Sequence, residues 1–149
     1  MKTVCVYHSR DLDGWMSAAN VKHWWTELNK TDEPFFYTND KTKDELLCSK
    51  GTLKFIGYDY GQPIPNLEEY DRVIMVDVSF PKDDMTNIGN RLKNNFVYID
   101  HHISAINDNE KLLRFPMQIQ GIQNTKFAAC ELTWQYFFPN DTMPEIVRL

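Results

Sequence analysis

The stretch Phe96-Val97-Tyr98-Ile99-Asp100-His101-His102 constrains this chain more than any other. Four residues with strong preference for extended backbone run without interruption into an acid and two adjacent histidines. A short, uniformly apolar run of this kind reads as a strand covered on both faces, the habit of parallel sheets. In such sheets ligands sit beyond the carboxyl ends of the strands, so the acid and the histidines fall where chemistry is done. Asp and His are also the side chains that hold hard-to-borderline divalent metals.

The rest of the chain repeats the pattern. Residues 3–7 form a first apolar strand that runs into His8-Ser9-Arg10-Asp11-Leu12-Asp13-Gly14. Gly14 permits a tight turn, and a helix is expected from Trp15 to about Leu28, with Ala18, Val21, Trp25 and Leu28 on its buried stripe. Residues 35–38 and 53–58 read as further strands, with a short helix expected over 43–48 and an irregular connection at Pro63 and Pro65. Residues 72–76 form a strand that delivers Asp77 at its end. Pro81 suits a helix start, and that helix carries Met85, Ile88 and Leu92.

Beyond the two histidines, residues 104–115 show no regular pattern, and 116–119 read as a short edge strand, where Pro is tolerated. A helix is expected from Asn124 or Thr125, both good caps, burying Phe127, Cys130, Trp134 and Phe137. Thr142, Pro144 and Glu145 mark another helix start. Strands alternating with helices imply right-handed βαβ units. The expected fold is α/β, a mostly parallel sheet of about five strands with helices on both faces, in a single domain over residues 1–149.

Composition narrows the function classes. Four Trp, seven Tyr and nine Phe argue for a packed core rather than disorder. A net charge of −5 does not suit a generic nucleic-acid binder, which would present a basic face; an anionic substrate would need bound cations to draw it in. Three widely spaced cysteines form neither a disulfide framework nor a zinc cluster. They read as reduced thiols, with Cys5 and Cys130 buried, in a cytoplasmic protein. No apolar run is long enough to span a bilayer.

Three strand ends carry the unusual polar residues: His8 with Asp11 and Asp13, then Asp77, then Asp100, His101 and His102. Singly, each has a plain explanation. Asp11 or Asp13 could cap the following helix, and an Asp after a strand is more often a turn residue than a ligand. Together they suit a hydrolase with two divalent ions held ~3.5–4 Å apart by a shared carboxylate. Mixed imidazole and carboxylate ligands favour manganese over magnesium, with zinc also compatible.

The segments His8-Ser9-Arg10-Asp11-Leu12-Asp13-Gly14, Val76-Asp77-Val78-Ser79 and Ile99-Asp100-His101-His102 resemble, in order, the first three motifs of the DHH phosphoesterase family. The helix containing Ala128-Ala129-Cys130-Glu131-Leu132 is similar to the one that follows them. The family includes RecJ-type exonucleases, nanoRNases, cyclic-dinucleotide phosphodiesterases and manganese pyrophosphatases. The resemblance implies that His8, Asp11 and Asp77 hold one ion, and that Asp13, Asp77 and His101 hold the other, Asp77 bridging. It implies that His102 faces the scissile phosphate and that Asp100 orients an imidazole from behind. Arg10 reads as solvated and His23 as structural.

The implied activity is metal-dependent hydrolysis of a phosphodiester in a short oligonucleotide or single-stranded nucleic acid. The alternatives are a pyrophosphatase or small- or cyclic-nucleotide hydrolase, and a DHH-type scaffold that binds without catalysing. In the family the second ion takes a further Asp, at a position that would fall just past Leu149. Asp141 is the late candidate within the chain, and a turn accounts for it. The family's C-terminal substrate-binding domain has no counterpart here. The expectation is a catalytic domain truncated at its C-terminal end, with fewer than two tight metal sites and slow turnover or none.

Overall fold

A computed structural model describes residues 1–30, 36–37, 45–48, 51–114 and 117–148. Six strands form one sheet in the order β2-β3-β4-β1-β5-β6. They are β1 (Lys2–His8), β2 (Phe36–Tyr37), β3 (Glu45–Cys48), β4 (Gly51–Tyr58), β5 (Arg72–Val76) and β6 (Phe96–Ile99). β4, β1, β5 and β6 are mutually parallel. β2 and β3 extend the sheet antiparallel beyond β4. The helices are α1 (Leu12–Leu28), α2 (Lys82–Leu92), α3 (Ile103–Asp108), α4 (Glu110–Leu113) and α5 (Ala129–Phe137).

The strand residues divide by parity between two apolar layers, as the two-residue period of a strand requires. Val4, Val6, Val73, Met75, Phe96 and Tyr98 face a layer completed by Met85 and Ile88 of α2 and Leu112 of α4. Cys5, Ile74, Val76, Val97 and Ile99 face the opposite layer, against Ala18, Val21 and Trp25 of α1 and Leu132 of α5. With helices on both faces, strand residues of both parities are buried, which is why these strands are apolar throughout rather than alternating. Fully burying a side chain such as Ile74 or Met75 is worth roughly 1.5–3 kcal/mol each.

The expected α/β class is therefore present, with particular elements placed differently. Glu45–Cys48 is a strand, not the end of a helix: Leu46 is buried and Leu47 is 37% exposed, an alternation set by antiparallel pairing with β4. Four residues are too few to separate helix from strand by periodicity. Lys43 and Asp44, like Phe35 and Thr38 of the expected second strand, lie outside the described residues. α1 begins at Leu12, three residues earlier than expected, because Asp11 rather than Gly14 starts it, and Leu28 lies exposed at its end.

Residues 103–113 fold into two short helices, although their pattern announces none. The expected edge strand at 116–119 is reduced to isolated bridges of Gln120 with Val97 and Gln123 with Asp100; Pro116 lies outside the described residues. α5 starts at Ala129, not at Asn124 or Thr125, leaving Phe127 exposed ahead of it. The chain near Glu145 makes only a 3-10 turn, Glu145–Val147. Among the described residues no helix is long and apolar enough to cross a membrane.

All three cysteines are free; Cys5 and Cys130 are buried and Cys48 is half-buried. Burial pushes the Cys5 thiol far up, and burial together with the neighbouring Asp13 pushes Cys130 up to about 12. The thiolate is the reactive form. Native protein at pH 8 is therefore expected to leave Cys5 and Cys130 unmodified by a disulfide-forming thiol reagent, with Cys48 the residue that reacts. Mass-mapped labelling before and after unfolding checks this. Rapid native labelling of Cys5 or Cys130 would contradict the packing described.

Candidate metal centre

The register of the parallel strands aligns their carboxyl ends. His8 pairs with Tyr58, Tyr7 with Val76, and Val76 with Ile99. His8 and the residues that follow the neighbouring strands, Asp59, Asp77 and Asp100, thus emerge along one edge of the sheet. The loop after β1 adds Asp11 and Asp13, and that after β6 adds His101 and His102.

Asp11 caps α1: its Oδ1 accepts the Gly14 N–H at 2.9 Å. Its other oxygen, Oδ2, lies 3.5 Å from His8 Nδ1. One carboxylate serves as both cap and site residue. Gly14 belongs to the first turn of α1, where a Cβ would come within 1.8 Å of the His8 carbonyl oxygen. The missing side chain is what lets α1 start directly against the end of β1, holding Asp11 and Asp13 beside His8.

Asp13, two residues on, points toward α5. Its Oδ1 accepts the Cys130 N–H at 2.7 Å and its Oδ2 the Ala129 N–H at 3.1 Å. These are unpaired N–H groups of a helix N-terminus, where negative charge is favoured. Glu131 Oε2 accepts the preceding Ala128 N–H at 3.3 Å. Asp13 Oδ2 also lies 3.3 Å from His101 Nε2.

Asp77 is the centre of the arrangement. It is 1% exposed and has φ = 59°, in the left-handed region that non-glycine residues rarely enter. Its N–H donates to the Ile99 carbonyl at 3.0 Å. Oδ1 is 2.9 Å from His101 Nε2, and Oδ2 is 3.5 Å from His8 Nδ1. Asp100, fully buried, accepts from Tyr98 O–H at 2.7 Å, from the His101 N–H at 2.8 Å, and lies 2.7 Å from His102 Nδ1.

Among the described residues two groups of side chains are close enough to hold an ion: His8, Asp11 and Asp77, and Asp77, Asp100, His101 and His102. A scan against protein families matches the DHH family, N-terminal domain, over residues 3–147. This chain belongs to the DHH family. Comparisons with curated proteins and with solved structures give no match. The family is one of metal-dependent phosphoesterases.

Unsatisfied atoms show how the residues fit divalent ions. Among the described residues, His8 Nδ1 and Asp77 Oδ2 are both buried and both without a hydrogen-bond partner, and they face each other across 3.5 Å. Buried polar atoms of folded proteins are nearly always paired. A cation between them would satisfy both, together with the free Oδ2 of Asp11. The charges agree: burial raises the Asp77 carboxyl's pKa and Asp13 and Asp11 raise it further, opposed by the His101 hydrogen bond. Hydrogen bonding to Asp77 raises His101, and hydrogen bonding to Asp100 raises His102. The DHH domain concentrates negative charge around a dry carboxylate, and its residues fit a divalent ion.

The sequence reading omits Asp59, which sits at the end of β4 with Oδ1 3.0 Å from His8 Nε2. The signal was present, an acid directly after an apolar strand, as with Asp77 and Asp100. Arg10 is 77% exposed and reaches only to 3.9 Å from Asp59. His23 stacks on Trp134 away from these residues, at 6.2 Å between ring centres. Asp141 lies in the turn after α5, its N–H donating to the Phe138 carbonyl.

Gly14→Ala is expected to destabilise the DHH domain by at least the ~1–3 kcal/mol that a forced core methyl costs, read from urea unfolding. Wild-type stability in that variant would contradict the close approach of α1 to β1.

Proposed function

We propose that this DHH domain hydrolyses phosphodiesters in short oligonucleotides, using two divalent ions, with manganese the preferred metal. The observation that carries the reading is the pair of unpartnered buried atoms, His8 Nδ1 and Asp77 Oδ2, within a ring of carboxylates. His8, Asp11 and Asp77 would hold one ion. Asp13, Asp77 and His101 would hold the other, with Asp77 common to both. The mixture of imidazole and carboxylate ligands favours manganese over magnesium. Bound there, the ions would supply an activated water and neutralise the charge of the phosphoryl oxygens.

The chain's own residues then have separate tasks. Asp100 engages His102 Nδ1, leaving Nε2 as the nitrogen that would hydrogen-bond a phosphoryl or leaving oxygen. Tyr98 and the His101 N–H fix Asp100 in turn. Asp13 is less free than Asp11, because both its oxygens accept backbone N–H bonds, so the site it serves is expected to be the weaker. A cavity of about 460 Å³, lined by His102, Tyr60, Ser79, Phe80 and Ser104 among others, opens beside His102.

Support for a substrate bearing nucleobases comes from exposed aromatics close in sequence to site residues. Trp15, Tyr60 and Phe127 are 54%, 49% and 44% exposed, and each is within three residues of Gly14, Asp59 or Ala129. Exposed aromatic faces offer stacking to bases regardless of sequence; pyrophosphate would gain nothing from them.

Titration with manganese, followed by calorimetry, should show one tight and one weaker site. Asp77→Ala should abolish both, since it removes the shared carboxylate, with affinity falling by at least 100-fold. With manganese present, short RNA should be cleaved faster than pyrophosphate, a cyclic dinucleotide or bis-(p-nitrophenyl) phosphate. Pyrophosphate as the best substrate would replace the oligonucleotide reading. Saturable ion binding with no turnover on any of the four would support a binding module instead.

A further inference from the structure

We infer that Asp59 is a positioning residue: it holds His8 with its proton on Nε2 and so presents Nδ1 as the ligand atom toward Asp11 and Asp77. The inference rests on the metal-site reading above and goes beyond it, because Asp59 belongs to neither group of candidate ligands.

A carboxylate only accepts hydrogen bonds. Asp59 Oδ1 stands 3.0 Å from His8 Nε2, so that nitrogen must be the donor. In a neutral imidazole the other nitrogen then carries the lone pair. That nitrogen, Nδ1, is a buried atom without a hydrogen-bond partner among the described residues, 3.5 Å from both Asp11 Oδ2 and Asp77 Oδ2. At that distance it makes no bond to either, and a lone pair between two carboxylates is unfavourable unless a cation lies among them. With the tautomer reversed, the Nε2 lone pair would face Asp59, and the only N–H would point into the metal site.

Asp59 is itself firmly held. Its Oδ1 also accepts the Tyr60 N–H at 2.9 Å, its own N–H donates to Gln62 Oε1 at 2.9 Å, and its carbonyl accepts the Gln62 N–H at 3.1 Å. The same strand end is tied to the first loop, since the Ser9 N–H donates to the Tyr58 carbonyl at 3.0 Å. The hydrogen bond to His8 is the largest effect holding the Asp59 carboxyl below its ordinary pKa. Carboxylates placed behind a ligating imidazole in this way fix the ring's tautomer and raise its basicity.

The test uses the whole chain, metal-free and with manganese, as wild type, Asp59→Ala and Asp59→Asn. Nitrogen-15 NMR of the imidazoles, with His8 assigned through His8→Gln, reads the tautomer without metal. The expected result is Nε2–H in the wild type and a mixture of tautomers in Asp59→Ala. Manganese titration should show the tight site weakened by about 10–100-fold in Asp59→Ala, the usual cost of losing such a partner. Asp59→Asn keeps an oxygen acceptor and should recover most of that loss, which a merely structural role would not predict. Nδ1–H in the wild type, or unchanged manganese affinity in Asp59→Ala, would overturn the inference. Should Asp59→Ala fail to fold, the wild-type tautomer decides it. Absence of manganese binding by the wild type would sink the metal-site reading alone, because the tautomer measurement needs no metal.

Discussion

Everything at this end of the molecule depends on a buried carboxylate, Asp77, held where neither its backbone nor its charge is comfortable. A non-glycine residue in the left-handed region costs of order 1–3 kcal/mol, and Asp tolerates it better than most. The conformation persists because the Asp77 N–H is tied to the Ile99 carbonyl while Val78 and Phe80, both buried, pin the outgoing chain. The result turns the side chain between the first and third loops, with one oxygen toward His101 and the other toward His8. Strain of this kind, observed and located, is a reasonable pointer to function.

The neighbouring acids differ in how they are restrained, which gives the site an internal order. Asp100 is saturated by Tyr98, two backbone N–H groups and His102, so it works from behind. Asp13 is shared with the N-terminus of α5, coupling the first loop to a helix more than a hundred residues later. Asp11 has one oxygen occupied as a cap and the other free to face His8. Asp59 lies behind His8 as Asp100 lies behind His102. The parallel register places all of this on one edge, and a divalent ion is the chemical complement of such a collection of carboxylates.

Much of this was legible because the core strands are apolar on both faces and end abruptly in polar residues. The strand ending at His8 and those ending before Asp77 and Asp100 could be read from composition and boundary alone, as could α2 from Pro81. What escaped was set by contacts distant in sequence. β3 is a strand because β4 pairs with it, not because Glu45-Leu46-Leu47-Cys48 prefers one. α5 starts at Ala129 because Asp13 receives its first N–H groups, overriding the better local caps at Asn124 and Thr125. Phe127 consequently faces solvent. Asp59 followed the same strand-end rule as Asp77, but a Tyr-Asp-Tyr turn reads as ordinary until the register brings it beside His8.

In the proposed two-ion site, Asp77 would serve both ions. Low-temperature electron paramagnetic resonance of the manganese-saturated protein tests it most directly, because ions joined by one carboxylate, ~3.5–4 Å apart as in two-metal sites, couple magnetically. A coupled-pair spectrum that disappears in Asp77→Ala is the predicted result. Six-line signals from isolated manganese ions at saturation would contradict the account.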